Sequence, residues 1–253
     1  AGADTVLTGK GGDSILLQSA TPDVFTDAWL ARGWPALLDP DTRRLARTTE
    51  RSIWSLWQMA RRHSVRALDT APRPHALLAP PRRSTRVRHP WLAEIARFSP
   101  SKAFQLAGVV DSVSRHGATA LTQTIDVRHP LCAQPVIEAC LALPAPLLTL
   151  GGRDRGLARQ AFRDRLPAMI VERRSKGDMT RIYGRMIFDN LNVLRPWLLE
   201  GRLADEGILD RLATDAALTR EGLMWRGHYA EIMAAVAFEG WVRVWERRLS
   251  RSR

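Results

Sequence analysis

The sequence Asp4-Thr-Val-Leu-Thr-Gly-Lys-Gly-Gly-Asp13, continued by Ser14-Ile-Leu-Leu-Gln-Ser19, is the most informative part of this chain. Its first five residues include β-branched and apolar side chains, which favour a strand. The three glycines that follow predict a tight loop, and the apolar run after Asp13 is compatible with a helix. A strand, a glycine loop and a helix in this order direct backbone N–H groups towards an anion. The loop matches neither the Walker A pattern nor the dinucleotide fingerprint, so by itself it also fits a structural turn.

The composition is that of a globular chain of 253 residues, of which 45% are apolar and 25% are charged. The apolar content, the 17 glycines and the two cysteines exclude disordered, collagen-like and disulfide-scaffold classes. No window approaches the roughly 18 apolar residues that a membrane helix needs. We therefore expect a cytoplasmic protein with no membrane partner. The two cysteines lack CxxC spacing, which predicts buried reduced thiols, and the spacing of the six histidines argues against a metal site.

The formal net charge of +12 rests on arginine. Lys10, Lys102 and Lys176 are the only lysines among the 38 basic residues, which leaves 35 arginines. These arginines are scattered along the chain, and two Tyr and six Phe offer few rings for stacking on bases. Solvated helix faces are therefore a better interpretation than nucleic-acid binding. A positive field would also attract an anionic ligand such as ATP or pyrophosphate.

Apolar spacing and proline positions predict that the rest of the chain is mainly helical, within a single domain of residues 1–253. The expected helices are 14–19, 24–38, 43–68, 91–98, 102–116, 134–143, 155–166, 181–199, 208–218 and 226–248. Residues 72–90 hold five prolines and are expected to form an exposed Pro/Arg-rich loop. Asp126 and Glu138 are expected to be solvated or to cap helices. Trp225, Trp241 and Trp245 are expected to pack.

Four motifs, taken in order, resemble the asparagine synthetase family. Residues 8–13 resemble its second pyrophosphate loop, Ser/Thr-Gly-x-Gly-x-Asp. The stretch from Arg128-His-Pro-Leu to Leu-Pro144 resembles its Arg-x-Pro-Phe-Leu-Asp helix and closing Leu-Pro. Gly151-Gly-Arg153 and the helix after it resemble Gly-Gly-Arg … Leu-Arg-Glu-Ala, and Arg173-Arg-Ser-Lys-Gly177 resembles Arg-x-Lys-x-Gly. The branch that closes lasso peptides is most similar, because its front loop is also followed by Leu-Gln-Ser.

This resemblance implies an α/β, predominantly α-helical fold: the C-terminal portion of an adenine nucleotide alpha hydrolase-like (PP-loop ATPase) synthetase domain. Family members use ATP and Mg²⁺ to activate a carboxylate as an acyl-adenylate, and an amine then displaces AMP. The implied catalytic residue is Lys176, which would stabilise the charge that develops as the amine attacks. Asp13 is the implied Mg²⁺ ligand. The implied nucleotide-binding residues are Thr8, Gly9, Lys10, Gly11, Gly12 and Asp13.

In lasso peptide cyclases, the carboxylate is an Asp or Glu side chain of a core peptide and the amine is that peptide's N-terminus. The resemblance thus implies a peptide or amino-acid carboxylate as substrate, with a leader-binding protein and a protease as partners. A conventional asparagine synthetase is an alternative, although Lys10 stands where that branch has Glu. A noncatalytic remnant that binds a biosynthetic partner is a second alternative. The family's first loop, Ser-Gly-Gly-x-Asp-Ser, and its glutaminase half do not occur in residues 1–253, so we expect this segment to be inactive alone.

Overall fold

The computed structural model describes residues 3–62, 76–80, 89–115, 117–173 and 180–251. These residues fall into two compact units. The first contains the described residues up to 62 and those from 89 to 173, and the second contains residues 76–80 and 180–251. Helices predominate in both units, which confirms the predicted helical character of the chain. Within the described ranges, no helix has the length and the apolar character needed to cross a membrane.

A short parallel sheet lies at the front of the first unit. Strand β1 (Thr5–Leu7) is confirmed, and it pairs in parallel with β2 (Asp126–Arg128), with Val6 opposite Val127. The sequence does not predict β2, because a three-residue strand that ends two residues before Pro130 gives no readable alternation. The pairing brings the chain that follows β1 next to the chain that follows β2.

Short helices surround this sheet, and their apolar faces form the core of the first unit. The largest buried cluster includes Phe25, Leu45 and Leu56, and a second one joins Ile15, Val109 and Ile137. The helices are α1 (Gly12–Ile15), α2 (Asp23–Arg32), α3 (Pro35–Leu38), α4 (Pro40–Thr48), α5 (Ile53–Arg62), α6 (Pro100–Ser114), α7 (Ala120–Thr124), α8 (Gln134–Ala142), α9 (Ala145–Leu148), α10 (Gly156–Ala161) and α11 (Ala168–Val171).

Several predicted helices are shorter or divided, and the backbone shows why. The helix expected at 14–19 ends at Ile15, because Leu17 has a φ of +52°. The helix expected at 24–38 divides at Gly33, and the one expected at 43–68 divides near Glu50, where φ is again positive. Residues 63–68 lie outside the described part of the chain. The segment expected at 91–98 forms only 3₁₀ turns, and the helix expected at 155–166 ends at Ala161.

The second unit is built around its last and longest helix. Its helices are α12 (Thr180–Asp189), α13 (Leu191–Leu199), α14 (Arg202–Asp205), α15 (Arg211–Ala217), α16 (Arg220–Trp225) and α17 (Tyr229–Arg251). Most of the predicted loop 72–90 lies outside the described residues. Within it, Leu77 is buried in the core of this unit and Leu78 bridges Leu209, so the expected exposure is wrong at Leu77. The expected packing of the C-terminal tryptophans is also wrong, because Trp225 is 83% exposed and Trp241 is 60% exposed.

Glu239 on α17 organises the second unit through buried hydrogen bonds. Its fully buried carboxylate accepts from the backbone amides of Arg202 and Leu203, at 2.9 and 3.0 Å, and from the side chain of Arg243. A Cβ atom on Gly201 would lie 2.6 Å from this carboxyl group, so the approach requires glycine. Burial alone would raise the pKa of Glu239, but these hydrogen bonds hold it below the ordinary value of 4.5.

We expect Glu239→Gln to destabilise the second unit by about 3 kcal/mol at pH 7, because it leaves a half-buried arginine and two backbone amides without their charged acceptor. The folded pKa lies below the unfolded one, so the contribution is complete above about pH 4.5 and is lost as the pH falls through the folded pKa. Urea unfolding measures this difference in free energy, and hydrogen exchange of α14 and α17 peptides locates it in the second unit. Glu246→Gln, in the exposed pair with Arg202, is the control and should change the free energy of unfolding far less, because solvent screens this pair.

Candidate functional site

The glycine loop between β1 and α1 has backbone amides available for a ligand. The N–H of Gly12 donates to the carbonyl of Gly9 at 3.1 Å, and the N–H of Ser14 donates to the carbonyl of Gly11 at 3.0 Å. Among the described residues, by contrast, no acceptor is hydrogen-bonded to the N–H groups of Gly9, Gly11 or Asp13. Amides of this kind in a glycine turn can bind an anion.

Tight packing against the 3₁₀ turn Pro130–Cys132 fixes the shape of this loop. Gly11 has a φ of +85°, and a Cβ atom there would lie 2.6 Å from Sγ of Cys132. A Cβ atom on Gly12 would lie 2.7 Å from Leu131, whereas Gly9 has open space beside it. Gly11 and Gly12 are therefore required by packing, and the open side of the loop is at Gly9. Both cysteines, Cys132 and Cys140, are free thiols, and they are half-buried rather than buried as predicted.

Side chains of the loop contact neighbouring segments of the first unit. Thr8 Oγ1 lies 2.5 Å from Nδ1 of His129, a contact that the pairing of β1 with β2 produces. The ammonium of Lys10 donates to the carbonyl of Arg115 at 2.7 Å, just beyond the end of α6. Lys10 is thus engaged by a helix end in this structure. Asp126 and Glu138 are exposed, as predicted for solvated carboxylates.

Asp13, at the end of the loop, forms an ion pair with Arg155. The Nη2 atom of Arg155 lies 3.1 Å from the Asp13 carboxylate, whose side chain is 58% exposed. Arg155 has a φ of +50°, an unusual conformation for a residue with a side chain, and its N–H donates to the carbonyl of Leu17 at 3.1 Å. Its Nε atom is buried without a hydrogen-bond partner among the described residues. The motif Gly151-Gly-Arg-Asp-Arg155 therefore lies directly against the front loop.

The same motif also holds the chain that leads to Arg173. Arg153 donates to the carbonyls of Val171 and Arg173, at 3.2 and 3.1 Å. Arg159, on α10, donates to the carbonyls of Ile170 and Val171, at 2.8 and 3.0 Å. Its guanidinium is fixed in turn by the Asp154 side chain at 3.1 Å. Two arginines thus bind the carbonyls at the end of α11.

The double glycine of the motif anchors this arrangement on α4. The N–H of Gly151 donates to the Asp41 carboxylate at 2.8 Å. Gly152 has a φ of +66°, and a Cβ atom there would lie 2.4 Å from the backbone nitrogen of Leu45. Only glycine permits this approach of the loop to the helix.

Residues 8–13 form one continuous loop in the structure. Three arginines to which the sequence analysis gave no role lie on or next to the segment that contacts this loop. They are Arg153, Arg155 and Arg159, which belong to motif segments that resemble the family. Their contacts depend on segments far along the chain, so local patterns do not reveal them. The predicted catalytic residue, Lys176, lies outside the described residues.

The chemistry of the loop fits phosphate groups and offers limited support for a metal. The free amides of Gly9, Gly11 and Asp13 are suitable donors for phosphate oxygens. Asp13 could supply one carboxylate to a Mg²⁺ that takes its other ligands from phosphate and water. Within the described ranges, no group of three or more His, Cys, Asp and Glu residues could hold a metal ion by itself.

The fold and this loop define a mainly helical protein with a glycine turn, rich in free backbone amides, after a parallel strand. The asparagine synthase family matches the chain over residues 1–243. The chain therefore belongs to the asparagine synthase family, whose members are ATP-using carbon–nitrogen ligases. No curated protein and no solved structure gives a significant match.

We expect Arg159→Met to loosen α11, because it removes the guanidinium that binds two of its carbonyls while keeping an apolar stem. Loss of charged hydrogen bonds worth about 1.5–3 kcal/mol each should accelerate amide exchange of residues 168–173 by at least tenfold. Mass-spectrometric hydrogen exchange measures this change. Arg163→Met is the control, since the Arg163 side chain is exposed and makes no hydrogen bond among the described residues. Equal protection in both variants would contradict the assigned role of Arg159.

Proposed function

We propose that this chain is the synthetase portion of an ATP-dependent, AMP-forming amide ligase that closes the macrolactam ring of a lasso peptide. The bond would join an Asp or Glu side-chain carboxylate to the N-terminal amine of the same peptide. Membership of the asparagine synthase family supports the ligase chemistry. The similarity of residues 8–19 and 151–177 to lasso cyclases supports the choice of substrate.

The observation that carries the proposal is that residues 151–155 contact two other motif segments. Arg155 contacts Asp13 in the front loop, while Arg153 contacts Arg173 before the Arg-x-Lys-x-Gly motif. These contacts join the front loop, the Gly-Gly-Arg motif and Arg173 within the first unit, which supports a common role for the three segments.

In this proposal the front loop binds the β- and γ-phosphates of ATP, which leave as pyrophosphate. The amides of Gly9, Gly11 and Asp13 would donate to phosphate oxygens, while the amide of Gly12 keeps its bond within the loop. Thr8 lines the same turn. Lys10 donates one N–H to the Arg115 carbonyl, and its remaining donors would be the ones available to a phosphate. The carboxylate of Asp13 would hold Mg²⁺, with Arg155 as the competing cation when no metal is bound.

Lys176 would act in the second half-reaction, where the amine attacks the activated carboxylate. Negative charge develops on the carbonyl oxygen at that step, and a positioned ammonium lowers its energy. The rest of a PP-loop ATPase-like synthetase domain would supply further phosphate contacts. A leader-binding protein and a protease would deliver the peptide in the cytoplasm.

The test uses the natural full-length protein with a linear core peptide. ATP–pyrophosphate exchange reports activation of the carboxylate, and loss of one water from the peptide mass reports ring closure. Asp13→Asn should lower exchange by at least tenfold. Lys176→Met should preserve exchange but slow ring closure by about 10²–10³-fold, because it removes charge stabilisation that is needed only for amine attack.

Asp164→Asn is the matched control, since Asp164 is exposed and lies outside the loops that carry the site. Exchange that survives Asp13→Asn unchanged would contradict the role of the front loop. Formation of asparagine from aspartate, without a cyclised peptide, would instead favour a conventional asparagine synthetase. Peptide binding with no exchange at all would favour the noncatalytic remnant.

A further inference from the structure

The first unit contains a cavity that lies away from the front loop. It has a volume of about 700 Å³ and is bordered by α2, α4, α9 and the start of α6. Its walls are mainly apolar, with Phe25, Ala28, Leu45 and Leu147 among them, and none of residues 8–13 lines it. Ligand pockets of this size commonly combine apolar walls with a few polar groups.

Lys102 is one of the residues that line this cavity. Its ammonium donates to Oε1 of Gln105 at 2.7 Å, and the Gln105 amide donates in turn to the carbonyl of Ile15 at 2.7 Å. Within the described chain, no carboxylate lies within 4 Å of the ammonium, and Lys102 has no further hydrogen bond there. An ammonium carries three donors, so two remain for a ligand.

The nearby carboxylates are already engaged. Asp27 accepts from the Ser99 hydroxyl at 2.7 Å and from the Ser101 amide at 3.2 Å, so it caps the start of α6. At the rim, Asp39 pairs with Arg32 at 2.8 Å and Asp41 pairs with Arg44 at 2.7 Å. These contacts leave Lys102 as a cation without a paired anion in an apolar surrounding.

The electrostatics of Lys102 agree with this description. Burial lowers the pKa of its ammonium from 10.5 to about 8, against the opposing influence of Asp27 and Cys140. An anion that enters the cavity would offset this desolvation cost. The choice of lysine is informative as well, because the chain has 35 arginines and only three lysines.

We propose that this cavity binds a small organic acid, with an apolar body of aromatic or branched aliphatic size and one carboxylate or sulfonate that pairs with Lys102. The apolar walls would hold the body of the ligand, and the two available N–H donors of Lys102 would bind its anionic group. This site is separate from the proposed ligase chemistry and does not depend on it.

The experiment compares two fluorescent probes that differ in charge. 8-Anilinonaphthalene-1-sulfonate has the required apolar body and a sulfonate, and N-phenyl-1-naphthylamine has the same rings without the anion. Titration at pH 7 should give one site for the anionic probe. Lys102→Met should weaken anionic binding at least tenfold and change binding of the neutral probe less than twofold.

Three further variants make the result decisive. Ala31→Trp fills the exposed mouth and should weaken both probes, whereas Leu147→Asp, also at an exposed position of the lining, should repel only the anionic probe. Arg163→Met removes one positive charge from an exposed side chain outside the cavity and should change neither affinity. Circular dichroism checks that each variant is folded. Equal binding of the anionic probe by wild type, Ala31→Trp and Leu147→Asp would overturn the proposal, even if Lys102→Met does not fold.

Discussion

The contact between the front glycine loop and the turn Pro130–Cys132 is the constraint on which the site depends. It is possible because β1 and β2 are parallel neighbours and because Gly11 has no Cβ atom to meet Cys132. The loop therefore turns sharply, and α1 starts at Gly12, directly before the free amide of Asp13. The position of Asp13 opposite Arg155 follows from the same contact. A larger side chain at residue 11 would move the loop, the helix and the ion pair together.

Arginine in this chain works largely as a hydrogen-bonding scaffold. Arg153 binds the carbonyls of Val171 and Arg173 through Nη2, and Arg159 binds those of Ile170 and Val171 through Nη1 while its Nε and Nη2 contact Asp154. A guanidinium suits this task because its donors lie in a fixed plane, whereas an ammonium meets acceptors one at a time. Part of the +12 charge is therefore used to order loops. This weakens any argument from net charge alone to a nucleic-acid partner.

The sequence predicts the parts of the fold that local residues determine. Strand β1 and its glycine loop are encoded by consecutive residues, and both are confirmed. Strand β2 escapes prediction because it exists only by pairing with β1. The ion pair of Arg155 with Asp13 escapes it because it requires a positive φ at Arg155 and a contact far along the chain. Helix lengths are overestimated for a related reason, since a single residue with positive φ, such as Leu17, ends a helix whose apolar pattern continues.

A lysine stands at each of the two sites, Lys10 at the front loop and Lys102 at the apolar cavity. Lys10 and Lys102 are both half-buried, and each donates at 2.7 Å to one neutral oxygen. A flat guanidinium with five donors would leave several of them unsatisfied there, whereas an ammonium can direct its remaining donors towards a ligand. In an arginine-rich chain, lysine thus stands where a compact cation with spare donors is useful. That argument rests on contacts of described residues and is independent of sequence motifs.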